Sequence, residues 1–158
     1  MDELIVVGVD PGLGGAFAAV SDSRLVGLWD MPIEVMSLSS KKRNRVNAAG
    51  VAALMKDVGR YGSVRVVIEL VHAMPQQGVS SVFSFGDSFG VLRGVMAALN
   101  LPCQFVTPQQ WKKKMGCLGK DKDYTRTRAL ELYPSADLLL KKHVDRADAL
   151  LMALSTLS

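Results

Sequence analysis

Leu4-Ile-Val-Val-Gly-Val-Asp10-Pro-Gly-Leu-Gly-Gly15 is an apolar run that ends in one carboxylate and passes at once into a glycine-rich turn. A short, β-branched run of this kind predicts a buried strand, which Pro11 and Gly12 end. Asp10 is therefore expected at a strand end, where a carboxylate is costly to bury unless it is paired or binds a metal. Because Asp before Pro-Gly is also a common turn cap, this stretch alone supports the two interpretations equally.

The composition predicts one globular domain that spans residues 1–158. The chain has 158 residues, of which 49% are hydrophobic, enough to bury a core without disulfide bonds. No apolar stretch approaches the length of a membrane span, so no membrane association is expected. Two cysteines are too few for a disulfide framework or a zinc site, which fits a cytoplasmic location.

The charge is unevenly distributed along the chain. Residues 1–40 carry one arginine and six acids, a balance of −5, whereas residues 112–142 carry nine lysines or arginines and four acids, a balance of +5. Residues 41–46 add four more positive charges. A basic surface beside an acidic sheet end suits a polyphosphate ligand, although basic runs are more often plain solvated surface.

The first half of the chain predicts a sheet of mixed direction. Residues 16–20 and 25–31 are two further strands that form an antiparallel meander with the first strand. Residues 32–46 are polar, basic and without periodicity, and are expected to be mobile. Asn47 is expected to cap a helix that runs to about Gly59. The apolar run 64–71 then predicts a strand parallel to the first, which would bring Glu69 to the same sheet edge as Asp10.

A polar loop over residues 73–81 leads into a predicted helix of about twenty residues that ends near Leu99. Small residues at its start, Gly78, Ser80 and Ser81, could contact a phosphate through free N–H groups or could simply cap the helix. Three glycines at every fourth position form a smooth stripe that lowers helix propensity. The stripe permits close packing on the sheet or against a second copy of the helix, and the spacing does not decide between them; it consists of Gly86, Gly90 and Gly94.

The last third predicts a short strand, a basic segment and two helices. Residues 103–107 are the fifth strand, and the segment 108–116 places Trp111 beside three lysines, a possible nucleic-acid contact in which the tryptophan itself is expected in the core. Helices are predicted over residues 124–133 and 144–157. Asp145 and Asp148 share one face in the first turn of the last helix, where the helix dipole also favours acids.

Four carboxylates thus lie at two strand ends and one helix start: Asp10, Glu69, Asp145 and Asp148. Oxygen ligands without a Cys or His cluster favour Mg²⁺ or Mn²⁺ over zinc. Two such ions about 4 Å apart support phosphodiester hydrolysis by activating water and stabilising the leaving oxygen. The acids therefore predict a two-metal site for chemistry on a nucleic-acid backbone.

With these residues in order, the chain resembles RuvC-type Holliday junction resolvases, particularly those encoded by bacteriophages and prophages. Four segments carry the resemblance: Gly8-Val-Asp10-Pro-Gly12, Ile68-Glu69-Leu-Val-His72-Ala-Met-Pro, Val106-Thr-Pro-Gln-Gln-Trp-Lys112 and Asp145-Arg-Ala-Asp148-Ala-Leu. The resemblance implies an α/β, RNase H-like fold with a five-stranded mixed sheet flanked by helices, strands 1–3 antiparallel and strands 4 and 5 parallel to strand 1. It also implies a homodimer that nicks two strands of a four-way DNA junction in recombination, repair or phage genome processing, leaving 5′-phosphate and 3′-hydroxyl ends.

Position by position, the resemblance implies that the four acids bind metal and that Lys112 acts near the scissile phosphate. Lys120 or Lys122 matches a second such lysine. The chain departs from the bacterial pattern at Leu70 and His72, where a Gln and an aromatic residue are usual; His72 could still stack on a base. His143 is a possible proton carrier or outer ligand, or else a simple cap or surface residue. The full set of expected DNA contacts is His72, Gln76, Gln77, Ser80, Ser81, Lys112, Lys113, Lys120, Lys122 and Arg126.

Three alternatives compete with a strict resolvase. The first is a nuclease with broader activity on flaps, three-way junctions and replication forks. The second is a junction-binding protein without catalysis, against which the complete acid set argues. The third is an actin-type kinase, whose opening strand and glycine-rich turn are similar, but that family needs a second, duplicated domain for which 158 residues leave no room.

Overall fold

A computed structural model describes residues 2–157 and contains the predicted five-stranded sheet. The strands of this sheet are β1 (Leu4–Asp10), β2 (Ala16–Val20), β3 (Leu25–Asp30), β6 (Ser63–Glu69) and β7 (Cys103–Val106). Their order in the sheet is β3-β2-β1-β6-β7. Strand β2 runs antiparallel to β1 and to β3, whereas β6 and β7 run parallel to β1. The predicted fold class is therefore confirmed.

Helices cover both faces of the sheet, so that successive residues of β1 contribute to two different cores. The helices are α1 (Ala48–Val58), α2 (Val79–Ala98), α3 (Pro108–Lys114), α4 (Lys122–Leu132) and α5 (Val144–Leu154), the last preceded by a 3₁₀ turn at Lys141–His143. Ile5, Val7 and Val9 pack with α1 and α2, whereas Val6 packs with α3, α4 and α5. Within residues 2–157, no helix combines the length and the apolar composition needed to cross a membrane.

Side-chain caps fix where several helices begin. The Asn47 side chain accepts a hydrogen bond from the Gly50 N–H at 2.9 Å, which confirms the predicted start of α1. Thr107 and Gln110 form a capping box, which turns the basic segment after β7 into helix α3. Asp121 caps α4, so this helix begins two residues before the predicted start and includes Lys122.

Sequence analysis predicted no strand over residues 32–46, whereas the structure pairs most of them in two strands. They form a two-stranded hairpin of β4 (Ile33–Leu38) and β5 (Lys41–Val46), separate from the main sheet. Ser39 takes a positive φ of 49° in the tight turn, and Glu34 faces Arg45 across the strands. An exposed ribbon needs no buried apolar face, which is why periodicity did not reveal it.

The strand register places the predicted acids at one edge of the main sheet. Asp10 pairs with Ala16, which pairs in turn with Asp30, and Glu69 ends β6 beside the end of β1. We call this edge the Asp10 edge. The prediction that Asp10 and Glu69 share one edge is confirmed.

The glycine stripe of α2 does not pack on the sheet. A Cβ atom at Gly86, Gly90 or Gly94 would meet no heavy atom within 4 Å outside the backbone of its own helix. The stripe therefore faces open space in the described chain. The alternative in which the stripe packs on the sheet is therefore wrong, and its packing against a second copy of the helix stays a prediction.

Candidate metal centre

Three of the four predicted acids converge at the Asp10 edge. Asp10, Asp145 and Asp148 each offer a carboxylate oxygen, and these atoms lie within 4.8 Å of one another. Asp10 comes from the end of β1, and the other two come from the first turns of α5, which packs against β1 and β2. We call these three residues the acid cluster.

Burial makes the acid cluster electrostatically costly. The pKa of Asp10 lies well above its usual range, first because of burial and then because of the charges of Asp145, Glu69 and Asp148. Burial also raises the pKa of Asp148 to about 6, although a hydrogen bond from Thr125 opposes the shift. A divalent cation would offset both burial and repulsion, and three carboxylates suit Mg²⁺ or Mn²⁺. The residues present therefore fit the metal that the sequence predicts.

Glu69 lies beside the acid cluster rather than within it. Its charge acts on Asp10 and Asp148, but one of its oxygens accepts a hydrogen bond of 2.7 Å from Trp111 Nε1. Trp111 itself is buried, 1% exposed, which confirms its predicted place in the core. A buried indole needs a hydrogen-bond acceptor, and here that acceptor is the carboxylate of Glu69.

The tryptophan bond gives a prediction. Trp111→Phe keeps most of the ring packing but removes the donor to Glu69, so we expect a loss of about 1–3 kcal/mol of unfolding free energy and slower cleavage because Glu69 is less well held. Urea denaturation and a cleavage time course measure the two effects. Trp29→Phe is the matched control, since Trp29 packs in the other core; equal losses in both variants would contradict a special role for the indole N–H.

Two side chains of α4 contact the acid cluster. Lys122 Nζ lies 3.4 Å from Asp145 Oδ1, and Thr125 Oγ1 donates to Asp148 Oδ1 at 3.0 Å. Lys122 was expected to contact DNA, and the structure places it against a predicted metal ligand. Thr125 was not predicted. Its position depends on the packing of α4 against α5, of which the sequence carries no local signal.

The other predicted lysines flank a neighbouring cleft of about 520 Å³. Lys112 Nζ lies 5.5 Å from the centre of the Trp111 ring, and Lys120 Nζ lies 5.2 Å from that of Tyr124. Both lysines line the cleft together with His72. Lys113 is exposed on α3. A cleft with cations beside the acid cluster has the charge arrangement that a phosphate backbone requires.

The loop before α2 lies beside a second cleft. Gln76 and Gln77 are exposed, and Gln77 Oε1 accepts a hydrogen bond from the Met74 N–H at 2.8 Å. Ser80 and Ser81, in the first turn of α2, line a cleft of about 380 Å³ that also contains Gly12. The Gly12 turn and the start of α2 therefore face each other, as a shared phosphate site would need.

Arg126 and His143 occupy interior positions. The Arg126 guanidinium is held by Asp123 and by the carbonyls of Leu138 and Leu139, so in this conformation it ties α4 to the following loop; its DNA contact remains a prediction. His143 is buried, and its Nδ1 lies 3.7 Å from Asp137 Oδ1. It lies outside the acid cluster.

Sequence analysis missed Arg146, which lies between the two acids of α5. It contacts both oxygens of Asp30, at 2.7 and 3.1 Å, and Asp137 at 2.8 Å. The bidentate bond joins the start of α5 to the end of β3. A basic residue between two predicted ligands was the available signal, but its partners are distant in sequence.

Comparisons with known proteins agree with this architecture. No protein-family model and no curated protein sequence matches the chain. Among solved structures, it matches Thermus thermophilus RuvC with 16% identity and a TM-score of 0.57 over 96% of this chain and 92% of that one. It also matches T. thermophilus RuvC in complex with a Holliday junction substrate, with 15% identity and a TM-score of 0.57 over 96% and 91%.

The mixed sheet with flanking helices defines an RNase H-like α/β fold. Within that class, the chain has the fold of RuvC.

Proposed function

We propose that the protein is a divalent-metal-dependent DNA endonuclease that resolves four-way junctions by paired nicks. The observation that carries this proposal is the acid cluster, three carboxylates within 4.8 Å at the end of a central strand. The RuvC fold supports it, since one of the matched structures is a RuvC bound to a Holliday junction. A catalytic role would also account for three acids held this close together in a partly buried place, as functional sites often require.

Each group of residues has a role in this proposal. Asp10, Asp145 and Asp148 hold the metal, and Glu69, fixed by Trp111, completes the acidic site from the adjacent strand. Bound there, Mg²⁺ or Mn²⁺ supplies positive charge for the scissile phosphate and lowers the pKa of a coordinated water. Lys112 and Lys120 orient the DNA backbone and offset charge that develops on the phosphate. The expected products carry 5′-phosphate and 3′-hydroxyl ends.

In this proposal Lys122 also supplies positive charge to the acid cluster in the absence of a metal ion. Its ammonium contacts Asp145 and reduces repulsion within the acid cluster when no divalent ion is bound. The side chain is long and largely exposed, so the same ammonium would also reach a phosphate of bound DNA without a change in the backbone.

Pairing of nicks requires two active sites, and we propose that α2 provides the dimer contact. Its stripe of Gly86, Gly90 and Gly94 is open and lets two helices approach closely. Exposed apolar side chains on the same helix, Val79 and Phe83, extend the surface that a second copy could cover. Two acid clusters would then act on one junction.

The test is cleavage of a labelled synthetic four-way junction, with and without Mg²⁺, with nicks mapped on all four strands. We expect nicks only with metal, placed symmetrically on two strands of like polarity. Three-way, flap and linear duplex substrates measured in parallel define the breadth of the activity. Binding of the junction without nicks in Mg²⁺ or Mn²⁺ would instead support a non-catalytic junction-binding protein.

A further inference from the structure

The β4–β5 hairpin begins at the Asp10 edge of the main sheet. Strand β3 ends at Asp30, in the same row of the sheet as Asp10, and the hairpin begins three residues later. At its base, the Asn47 N–H donates to the Pro32 carbonyl at 2.9 Å, and Val46 is buried. The hairpin is thus anchored at the same edge of the sheet as Asp10, with β2 between β3 and the strand that carries the proposed metal ligand.

The hairpin carries several exposed positive charges. Strand β5 carries four cations, whereas residues 33–46 contain one acid, Glu34. Arg45 is paired with that acid at 2.8 Å. Lys41, Lys42 and Arg43 are exposed, and within the described chain no hydrogen bond or ion pair engages their side chains. Three positive charges near the turn are therefore available to a ligand.

The register distributes these groups over both faces of the ribbon. Lys41 and Arg43 stand opposite Leu38 and Met36 on one face, and Lys42 stands opposite Ser37 on the other. A two-stranded β-ribbon fits the major groove of B-DNA, whose phosphates flank it on both sides. Cations on both faces match this arrangement better than they match a flat anionic surface.

We propose that the β4–β5 hairpin is a DNA-binding arm that contacts the phosphates of a duplex leading to the acid cluster. The inference rests on the proposed function, because the choice of DNA as the polyanion comes from the neighbouring nuclease site. Six extended residues span about 20 Å, which corresponds to about six base pairs of duplex. The arm adds affinity for duplex next to the cut site and does not take part in cleavage chemistry.

The test compares two double variants that remove the same charges. Lys42→Gln/Arg43→Gln neutralises the arm, and Lys56→Gln/Arg60→Gln neutralises one lysine and one arginine of α1 and the turn that follows it, near the opposite edge of the sheet. Junction affinity is measured over a range of salt concentrations. We expect the arm variant to bind about 10-fold or more weakly at 0.1 M salt, with a logarithmic salt slope smaller by about 2. The α1 variant should match the wild type.

The outcomes separate the arm from the proposed activity. If the wild type cuts junctions but both variants keep the same salt slope, the arm is refuted and the nuclease stands. If the wild type binds junctions without cutting them, catalysis is refuted, and the salt slopes still decide whether the arm contacts DNA. Failure of the wild type to bind DNA in any form overturns both proposals.

Cross-linking gives an independent measurement. A photo-cross-linking amino acid in place of Ser40, in the exposed turn of the hairpin, is expected to label duplex within about six base pairs of the cut site. The same group in place of Asp22, in the exposed turn after β2, is expected to give no label. Labelling from Asp22 alone, or from neither position, would refute the arm.

Discussion

Asp10→Asn is expected to reduce junction cleavage about 10³-fold or more while junction binding changes little. Asp10 is the acid-cluster member supplied by the central strand, and asparagine keeps its size but removes the charge that a divalent cation requires. A loss of this size corresponds to several kcal/mol of transition-state stabilisation. Single-turnover cleavage in Mg²⁺ measures the rate, and a gel-shift titration in Ca²⁺ measures binding.

The same substitution is expected to stabilise the metal-free protein. Because the pKa of Asp10 is raised on folding, stability contributed by its protonated form is lost as the pH rises above the ordinary value of the carboxyl group. Asparagine removes this loss, so the free energy of unfolding at pH 8 should increase by about 1–3 kcal/mol. At pH 4 the difference should nearly vanish.

Asp22→Asn is the control for both effects, since Asp22 is exposed in the turn after β2. It should leave the cleavage rate and the free energy of unfolding at pH 8 close to those of the wild type. Added Mg²⁺ should raise the melting temperature of this control and of the wild type, but not that of Asp10→Asn. If Asp10→Asn instead cleaved at the normal rate, the acid cluster would not be the catalytic site.

Sequence predicts well those site residues whose positions follow from local patterns. Asp10 and Glu69 each follow an apolar run, and a parallel crossover brings such strand ends to one edge. The i, i+3 spacing puts Asp145 and Asp148 on one helix face. These rules need no knowledge of side-chain packing, and the structure confirms the shared edge and the three-acid convergence.

Sequence reasoning fails where a contact depends on the packing of two elements that are distant in the chain. The Trp111 bond to Glu69 requires α3 to pack over the end of β6, and Thr125 reaches Asp148 only because α4 packs against α5. The hairpin was missed for a different reason: the apolar residues of β4 are spread over both of its faces, and β5 is polar except for Val46, so hydrophobic alternation, the main signal for a strand, is absent. Propensity alone did not separate a paired basic ribbon from a mobile loop.

Gly8→Ala is expected to have the largest effect on stability of any single methyl group added to the main sheet. Gly8 lies in the middle of β1, where α5 crosses the strand. A Cβ atom there would lie 2.0 Å from the Ala149 carbonyl oxygen and 3.0 Å from the Ala153 nitrogen. Both atoms belong to the backbone of α5, so no side-chain rotation can relieve the clash.

The helix must therefore move away from the sheet if alanine occupies position 8. We expect a loss of about 3 kcal/mol or more of unfolding free energy, at the upper end of the range for overpacking. Because α5 carries Asp145 and Asp148 whereas β1 carries Asp10, the movement also separates the acid cluster. A misplacement of about 1 Å can cost about 10²-fold in rate, so cleavage should fall even at temperatures where the variant is folded.

Gly14→Ala provides the matched control, since a Cβ atom at position 14 would meet nothing within 4 Å. Urea denaturation of both variants gives the stability difference, and cleavage well below each melting temperature isolates the geometric effect from unfolding. Normal stability in Gly8→Ala would mean that α5 does not approach β1 as closely as described. Lost stability with an unchanged cleavage rate would mean that the acid cluster tolerates the shift, and the dependence of catalysis on close docking of α5 would then be wrong.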